Sequence, residues 1–245
     1  MPQAQLPKNQ VRFPFESILN DFILSLVQKQ SLNLKSVFIT GSFARGDATD
    51  TSDVDLWCIF NQVDFNVLSD VGWCVQNITE QQPSLEINPQ CLSVNEFESD
   101  YFANWTEKAV KVLDSVLLYG DDLIGNSVSV AEVEPIYKKY LADVLLSIRH
   151  YLSVDEPVEK LTCQKIKRYI LKPLMFPLRL ERWCTCGNYP RSITDLKNAY
   201  GDPVGEVIIY FMQPEVLERD LLQDHRAVLH KMHTVVSQLL FPISL

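Results

Sequence analysis

Two aspartates separated by one residue, Asp53 and Asp55, are the side chains of this sequence best suited to chemistry. They lie in a β-like run, residues 53–60, in which alternate side chains project to the same face. Their Cα atoms would be about 6.6 Å apart, so the two carboxylates can share divalent cations. Apolar neighbours indicate a buried strand, where two carboxylates repel each other unless a cation lies between them. The pair therefore predicts a metal site.

A Gly-Ser pair, Gly41 and Ser42, follows an earlier β-like run at residues 36–40. Gly41 permits a backbone turn that other residues disfavour, and Ser42 would open a short helix through Arg45. Free amides there, with Arg45 nearby, would form an anion site facing the aspartates. An anion site beside an acidic metal site indicates a nucleoside triphosphate with magnesium. The simpler interpretation is a Gly-Ser turn followed by an Asp-capped surface strand, and the ten-residue spacing between Ser42 and Asp53 argues against it.

A third acidic residue, Glu86, lies between apolar neighbours in a run that we expect to form a strand over residues 84–93. It is either the outward residue of an edge strand or the third member of an acidic cluster. We favour the second interpretation because metal sites for phosphoryl transfer commonly need a third carboxylate. Glu86 would then lie beside the metals, where it could take the proton of an acceptor hydroxyl.

The elements that must position these residues are predicted by hydrophobic periodicity. Apolar residues recur at helical spacing over 15–30 and 65–80. The strands at 36–40 and 53–60 have barely enough chain between them for a parallel crossover, so we expect them to pair antiparallel.

A change of period divides the chain near residues 125–127. Before it, residues 95–118 are predicted as helix and 117–121 as a short strand and turn, which would close a first domain at 1–125. After it, helical periodicity continues through a second domain at 126–245. There we expect helices at 133–152, from Thr162 with breaks or kinks at Pro173 and Pro177, from Ser192 as N-cap, and at 214–240.

The composition is that of an ordinary globular protein, with 47% hydrophobic and 22% charged residues. The net charge of −9 and the lack of a long Lys or Arg run disfavour nucleic acid as the main substrate. A cationic or small polar substrate fits the acidic balance better. We expect no secretory signal and no membrane span, a cytoplasmic location, and six reduced cysteines.

The segments Ile39-Thr40-Gly41-Ser42 and Ser52-Asp53-Val54-Asp55-Leu56 resemble the signature of the nucleotidyltransferase superfamily with a DNA polymerase β-like core. That signature is a hydrophobic strand, Gly-Ser or Gly-Gly, a spacer near ten residues, and Asp-hydrophobic-Asp-hydrophobic. The resemblance implies an α+β fold, in which a polymerase β-like domain with a mixed sheet precedes a C-terminal α-helical bundle. It also implies ATP as the donor and two Mg²⁺ ions, with Asp53, Asp55 and Glu86 as ligands and catalytic residues.

Within the superfamily, the chain more closely resembles aminoglycoside adenylyltransferases of the streptomycin/spectinomycin type. Leu85-Glu86-Ile87-Asn88 is similar to the strand that carries their catalytic base. Residues 178–191 look like the segment in which they place an arginine and a lysine on the nucleotide phosphates, and arginine stands here at both positions. Solvation of a helix face is the alternative role for both. The implied nucleotide-binding residues are Gly41, Ser42, Arg45, Ser52, Arg179 and Arg191.

The resemblance implies transfer of AMP to a hydroxyl of a small molecule, with aminoglycosides as candidate acceptors and antibiotic resistance as the role. In such a family the acceptor binds between the domains. One alternative is AMP transfer to a protein, as in minimal nucleotidyltransferase antitoxins. Another is a fused helical RNase module, because the segment from Arg219 to His225 resembles the Arg-x(4–6)-His motif of HEPN domains. His230 and His233, at i and i+3, lack a Cys or carboxylate partner for zinc in the nearby sequence.

Overall fold

The chain divides into two compact units, Met1–Val128 and Ser129–Leu245. The computed structural model describes residues 16–49, 52–99, 108–125, 127–154 and 162–242. Among the described residues, no helix combines the length and the apolar character that crossing a membrane requires.

The first unit is built on a four-stranded mixed sheet. Its strands are β1 (Leu34–Thr40), β2 (Val54–Phe60), β3 (Ile87–Ser93) and β4 (Ser115–Gly120), in the spatial order β3-β2-β1-β4. β1 pairs antiparallel with both β2 and β4, whereas β2 and β3 run parallel. The antiparallel pairing of the two strands that flank the Gly-Ser segment confirms the prediction from the sequence.

Helices cover both faces of this sheet. In the described part of this unit they are α1 (Glu16–Gln30), α2 (Gly41–Arg45), α3 (Phe65–Gln81), α4 (Val94–Glu98) and α5 (Lys108–Asp114). The larger core cluster joins α1 and α3 to alternate residues of β2, including Val54, Leu56 and Cys58. The smaller cluster, on the face given by the other alternate residues of β2, contains Phe38, Trp57, Ile59, Leu92 and Phe97. This alternation decides which face of the sheet the two aspartates share.

Two boundaries of the first unit differ from the prediction. The helix expected over 95–118 ends earlier, because α5 stops at Asp114 and β4 begins at Ser115; residues 100–107 of that prediction lie outside the described residues. Pairing with β1 satisfies the backbone groups of β4, so tertiary hydrogen bonds override the helical pattern. The strand expected over 84–93 begins only at Ile87, because a turn closed by the Leu85 N–H on the Gln82 carbonyl, 3.0 Å, precedes it.

The second unit is helical throughout its described elements, as the sequence predicts. It contains α6 (Val130–Val154), α7 (Cys163–Ile166), a π-helical turn (Lys167–Leu171), α8 (Lys172–Cys186), α9 (Ile193–Ala199), α10 (Val204–Met212) and α11 (Pro214–Leu240). α6 packs against α8 and α11. Ser192 caps α9 through a capping box with Asp195, which confirms the predicted N-cap. α10 lies between two predicted helices and was not itself predicted.

The prolines at 173 and 177 do not end the helix that contains them. The chain passes from the π-helical turn directly into α8, with Pro173 in its first turn and Pro177 inside it. In the widened turn the Lys172 N–H donates to the Lys167 carbonyl five residues earlier. In a regular helix, Pro173 would lack the N–H for one hydrogen bond, and its ring would clash with the carbonyl four residues earlier. The wider π-helical turn before it avoids both problems.

α11 contains a break at Asp224, whose backbone is not helical (φ −158°, ψ 90°). The Asp224 carboxylate accepts a hydrogen bond of 2.9 Å from the Ala227 N–H, three residues later. This is the geometry of an N-cap, so Asp224 starts a new helical segment within the predicted helix.

Candidate active site

Asp53 and Asp55 lie at the N-terminal end of β2, with Asp53 immediately before the strand. Asp55 is in register with Thr40, the last residue of β1. Trp57 and Ile59 follow Asp55 at alternate positions and belong to the smaller core cluster, whereas Val54 belongs to the larger one. Both aspartates therefore share the face of the smaller cluster, at its edge, and both are half-buried.

Gly41 brings the start of α2 against the carboxylate of Asp55. Its backbone has φ 70°, in the left-handed region that favours glycine. A Cβ atom at this position would lie 2.6 Å from Asp55 Oδ2, closer than non-bonded atoms approach. The predicted need for glycine thus has two causes, the backbone conformation and the space taken by Asp55.

Ser42 lies in the first turn of α2 and is half-buried. Its carbonyl accepts a hydrogen bond of 2.9 Å from the Asp47 N–H, beyond Gly46, which ends the helix in a left-handed conformation. The short helix that we predicted from Ser42 to Arg45 is therefore present and begins one residue earlier.

The guanidinium of Arg45 is bound by carboxylates. Arg45 Nη1 donates to Oδ2 of the buried Asp114 at 2.6 Å, and Arg45 Nε lies 3.5 Å from Asp47 Oδ2. Arg45 therefore ties α2 to the end of α5. This contact competes with the phosphate-binding role implied by the resemblance, which stays a prediction.

Ser52 is hydrogen-bonded to Thr49. Its hydroxyl accepts a hydrogen bond of 2.9 Å from the Thr49 N–H, and its own N–H donates to the Thr49 carbonyl at 2.9 Å. Ser52 is thus placed directly before Asp53, with its side chain held by the Thr49 N–H. Its role with the nucleotide stays a prediction.

Glu86 lies immediately before β3 and is exposed. Its carbonyl accepts a hydrogen bond of 2.8 Å from the Val54 N–H, and Val54 is in register with Ile87. Continuation of this register puts Glu86 opposite Asp53. Among the described residues, however, no three side chains of His, Cys, Asp or Glu form a group that could hold a metal ion. Glu86 is not gathered with the two aspartates into one such group, and its roles as ligand and base stay predictions.

Asn88, which the sequence analysis did not select, contacts an aspartate of the pair directly. Asn88 Nδ2 donates to Asp53 Oδ2 at 2.8 Å, and Asn88 is in register with Asp55. Its position could have been noticed in the sequence, because Asn88 lies two residues after Glu86 and therefore on the same face of the predicted strand.

The two arginines of the second unit have different surroundings. Arg179 on α8 is buried, and it donates from Nε to the Pro190 carbonyl at 3.0 Å and from Nη1 to the Met175 carbonyl at 3.3 Å. Arg191 is half-buried and lines a cleft of about 500 Å³. The other lining residues are Asn188, Tyr189, Pro190, Asp195, Asn198 and Ala199. Arg179 therefore supports the wall of this cleft through Pro190, whereas Arg191 is part of its surface.

The aromatic ring of Tyr200 anchors the helix that carries part of this wall. Its hydroxyl donates to the carboxylate of Glu181, and the hydroxyl oxygen lies 2.9 Å from the Leu178 carbonyl oxygen, the alternative acceptor of the same proton. Burial and the hydrogen bond to Glu181 raise the pKa of Tyr200, so the phenol stays protonated at physiological pH. Tyr200 thus joins the end of α9 to α8.

The HEPN-like segment does not lie on one uninterrupted helix. The break at Asp224 separates Arg219 from His225, and Arg219 Nη2 forms an ion pair of 2.8 Å with Asp220. His233 accepts a hydrogen bond of 3.3 Å from Arg149 Nε, not from a second histidine. The six cysteines are free thiols, as expected.

The arrangement in the first unit can hold a cation and an anion side by side. Two carboxylates share one edge of the sheet, and the N-terminal turn of α2 lies against one of them. Oxygen ligands of this kind are those that Mg²⁺ prefers, and peptide N–H groups at a tight turn favour phosphate oxygens.

Comparison with known proteins agrees with this arrangement. The nucleotidyltransferase domain family matches residues 19–174, more than half of the chain. A protein of Methanocaldococcus jannaschii, provisionally named a protein adenylyltransferase, is 36% identical over 56 residues, which are 23% of this chain. The chain spans about half of that relative, 55% of its length.

A solved structure shares the fold. The chain is similar to spectinomycin adenyltransferase AAD(9) from Enterococcus faecialis, crystallised with ATP and spectinomycin, at a TM-score of 0.52 and 11% sequence identity. The similarity covers 91% of this chain and 98% of the other. It confirms the predicted fold class, an α+β catalytic core with a mixed sheet followed by a helical region. From the extent of the family match, with the two-aspartate strand and the Gly-Ser turn inside it, the chain belongs to the nucleotidyltransferase domain family.

Proposed function

We propose that this chain is a magnesium-dependent adenylyltransferase that moves AMP from ATP to a hydroxyl of a small molecule. The observation that carries the proposal is the contact between the proposed anion site and the proposed metal site. Gly41 at the start of α2 lies against Asp55 on β2. The proposed catalytic domain is residues 1–125, and the proposed helical domain is 126–245.

Asp53 and Asp55 are the residues that would hold magnesium, with Glu86 as a third carboxylate beside them. In the described part of the chain, Asp53 accepts a hydrogen bond from Asn88 and forms no ion pair with a Lys or Arg side chain. Its negative charge is therefore available for a divalent cation. Magnesium bound here would offset the charge of the phosphates during transfer.

The same proposal assigns roles to the remaining groups. The N-terminal turn of α2, with Gly41 and Ser42, would bind phosphate oxygens through its N–H groups. Glu86, opposite Asp53, would take the proton of the acceptor hydroxyl. Arg191, at the surface of the cleft in the second unit, is a better candidate for a phosphate contact than the buried Arg179.

A cationic aminocyclitol or aminoglycoside is the proposed acceptor class, and antibiotic resistance the proposed role. The net charge of −9 supports a cationic acceptor, because an acidic surface attracts it. The fold shared with a spectinomycin adenyltransferase supports the same class.

The test is release of pyrophosphate from ATP and Mg²⁺ in the presence of a panel of aminocyclitols and other small polyols. We expect turnover with at least one acceptor and its loss in Asp53→Asn. Glu80→Gln is the matched control, because Glu80 is an exposed carboxylate on α3, which packs on the opposite face of the sheet. Equal behaviour of wild type and Asp53→Asn across the panel would refute the proposal.

AMP transfer to a protein side chain is the second candidate, supported by the provisional name of the Methanocaldococcus jannaschii relative. ATP labelled at the α-phosphorus, incubated with the enzyme and a cell lysate, separates the two. Label on a protein band that disappears with Asp53→Asn would support this candidate, whereas label confined to small molecules would support the first.

A further inference from the structure

Asn88 is the side chain that holds one carboxylate of the aspartate pair. It lies on β3, in register with Asp55 across the parallel β2–β3 pair, so its side chain shares the face of the two aspartates. Its amide nitrogen donates to Asp53 Oδ2 at 2.8 Å, a distance typical of a strong N–H···O bond. Of the two Asp53 carboxylate oxygens, this bond uses one.

The orientation of the Asn88 amide is fixed by the chemistry of its partner. An ionised carboxylate only accepts hydrogen bonds, so the NH₂ group must face Asp53 and the amide oxygen must point elsewhere. A lysine or arginine here would also donate, but its charge would neutralise the carboxylate and compete with a metal. A neutral amide restrains the carboxylate and leaves its charge in place.

The hydrogen bond is not needed to hold the two strands together. Backbone pairing between β2 and β3 extends from Val54 with Ile87 to Phe60 with Ser93. One side-chain hydrogen bond adds little to a ladder of this length, but it restricts the side-chain rotation of Asp53.

We propose that Asn88 is a positioning residue that orients Asp53 so that its second oxygen, Oδ1, is presented to the metal. This inference rests on the proposed function, because it assumes that Asp53 binds a divalent cation. The residue acts only through Asp53, and its loss weakens the metal site without removing a ligand. Neighbours that orient metal ligands have this effect in other proteins, about 10- to 100-fold in affinity.

The experiment measures Mn²⁺ binding directly, by electron paramagnetic resonance of the full chain without turnover. We expect Asn88→Leu, of similar size but without a donor, to bind Mn²⁺ about tenfold more weakly than wild type. Gln90→Leu is the matched control, because Gln90 is exposed, lies two residues further along the same strand and faces the same side. Its Mn²⁺ affinity should equal that of wild type.

Activity gives a second readout of the same inference. In Asn88→Leu the Mg²⁺ concentration for half-maximal rate should rise by about the same tenfold factor, while the KM for ATP at saturating Mg²⁺ stays within about twofold. Asn88→Ala serves the same purpose if Asn88→Leu fails to fold, as judged by circular dichroism.

The outcomes separate this inference from the proposal on which it rests. If wild type binds Mn²⁺ and the Asn88 variants bind it equally well, Asn88 does not position Asp53 and only this inference fails. If Gln90→Leu loses as much affinity as Asn88→Leu, the effect is one of strand packing and the inference is also wrong. If wild type binds no Mn²⁺, the proposed metal-dependent function fails, and this inference with it.

Discussion

A Cβ atom on Gly41 would lie 2.6 Å from Oδ2 of Asp55, so the start of α2 and the aspartate pair are in contact because residue 41 has no side chain. Gly41 also has φ 70°, a conformation that L-residues with a Cβ rarely adopt. The close approach places the N-terminal turn of α2 beside the carboxylates. The N–H groups of this turn could then contact phosphate oxygens beside a cation held by the carboxylates, as we propose.

Gly41→Ala should lower activity strongly, and Gly46→Ala is its matched control. Both glycines have positive φ, 70° and 78°, so each substitution adds backbone strain of about 1–2 kcal/mol. Only the Gly41 variant also displaces Asp55, because a Cβ at Gly46 meets nothing within 4 Å. We expect similar losses of stability in urea denaturation, and an additional loss of about 100-fold in kcat/KM for Gly41→Ala alone. Equal loss of activity in the two variants would contradict this assignment.

Arg45→Met should destabilise the first unit because it removes the guanidinium to which the buried carboxylate of Asp114 is bound. The Asp114 side chain is 5% exposed and lies 2.6 Å from Arg45 Nη1. Loss of one partner of a buried ion pair costs about 3–5 kcal/mol, whereas the double variant Arg45→Met/Asp114→Leu should recover part of this. Urea denaturation measures both.

Lys138→Met provides the comparison for an exposed pair. The Lys138 and Glu134 side chains are 43% and 45% exposed at a distance of 2.6 Å, so solvent screens the pair and we expect a far smaller loss of stability than for Arg45→Met. A loss for Arg45→Met as small as this would show that the Arg45–Asp114 pair does not hold α2 to α5.

The parts of the site that could be predicted are those set by local geometry. Asp53 and Asp55 share a face because a strand has a period of two, and Gly41 follows from the turn that its neighbours require. The contact of Asn88 with Asp53 spans 35 residues and that of Arg45 with Asp114 spans 69. No local period encodes such pairs, because strand order and register bring them together.

The contrast between local periodicity and contacts distant in sequence also explains where the predicted and observed folds differ. The amphipathic pattern predicted α1, α3, α6 and α11, whose buried faces recur within single helices. The sequence predicts that β4 begins at residue 117 and that the preceding helix extends to residue 118. In the structure the helix ends at Asp114 and β4 begins at Ser115, because pairing with β1 sets this boundary. A sequence also shows that residue 179 is cationic without showing that backbone carbonyls surround it.

Substitution of the two arginines of the second unit should have different effects, on stability for Arg179 and on ATP affinity for Arg191. Arg179→Leu leaves the carbonyls of Pro190 and Met175 without their donor, so we expect a loss of about 1–3 kcal/mol in stability. Arg191→Ala should cost less stability than Arg179→Leu, because the Arg191 side chain is half-buried and the Arg179 side chain is buried. It should weaken ATP binding by about tenfold, the effect of one charged hydrogen bond, as measured by calorimetry. Unchanged ATP affinity in Arg191→Ala would exclude that role.

His233 should make the second unit less stable as the pH falls. Burial, and then the positive charges of Arg149 and His230, lower the pKa of His233 from its usual value of 6.5. Below pH 6.5 the unfolded chain therefore binds a proton that the folded protein resists, so stability is greatest above 6.5 and declines as the pH drops toward the folded pKa. His233→Gln should reduce this decline. The free energy of unfolding, measured by urea denaturation from about pH 5 to about pH 8, tests this.

Arg149→Met isolates the electrostatic part of this effect. Because the Arg149 Nε lies 3.3 Å from His233 Nε2, removal of the guanidinium should raise the pKa of His233 toward its usual value. Titration of the imidazole resonances by NMR measures this directly. His150→Gln removes an exposed histidine next to Arg149 and should leave the His233 titration unchanged. A His233 pKa that is the same in wild type and Arg149→Met would show that burial, not the neighbouring charge, lowers it.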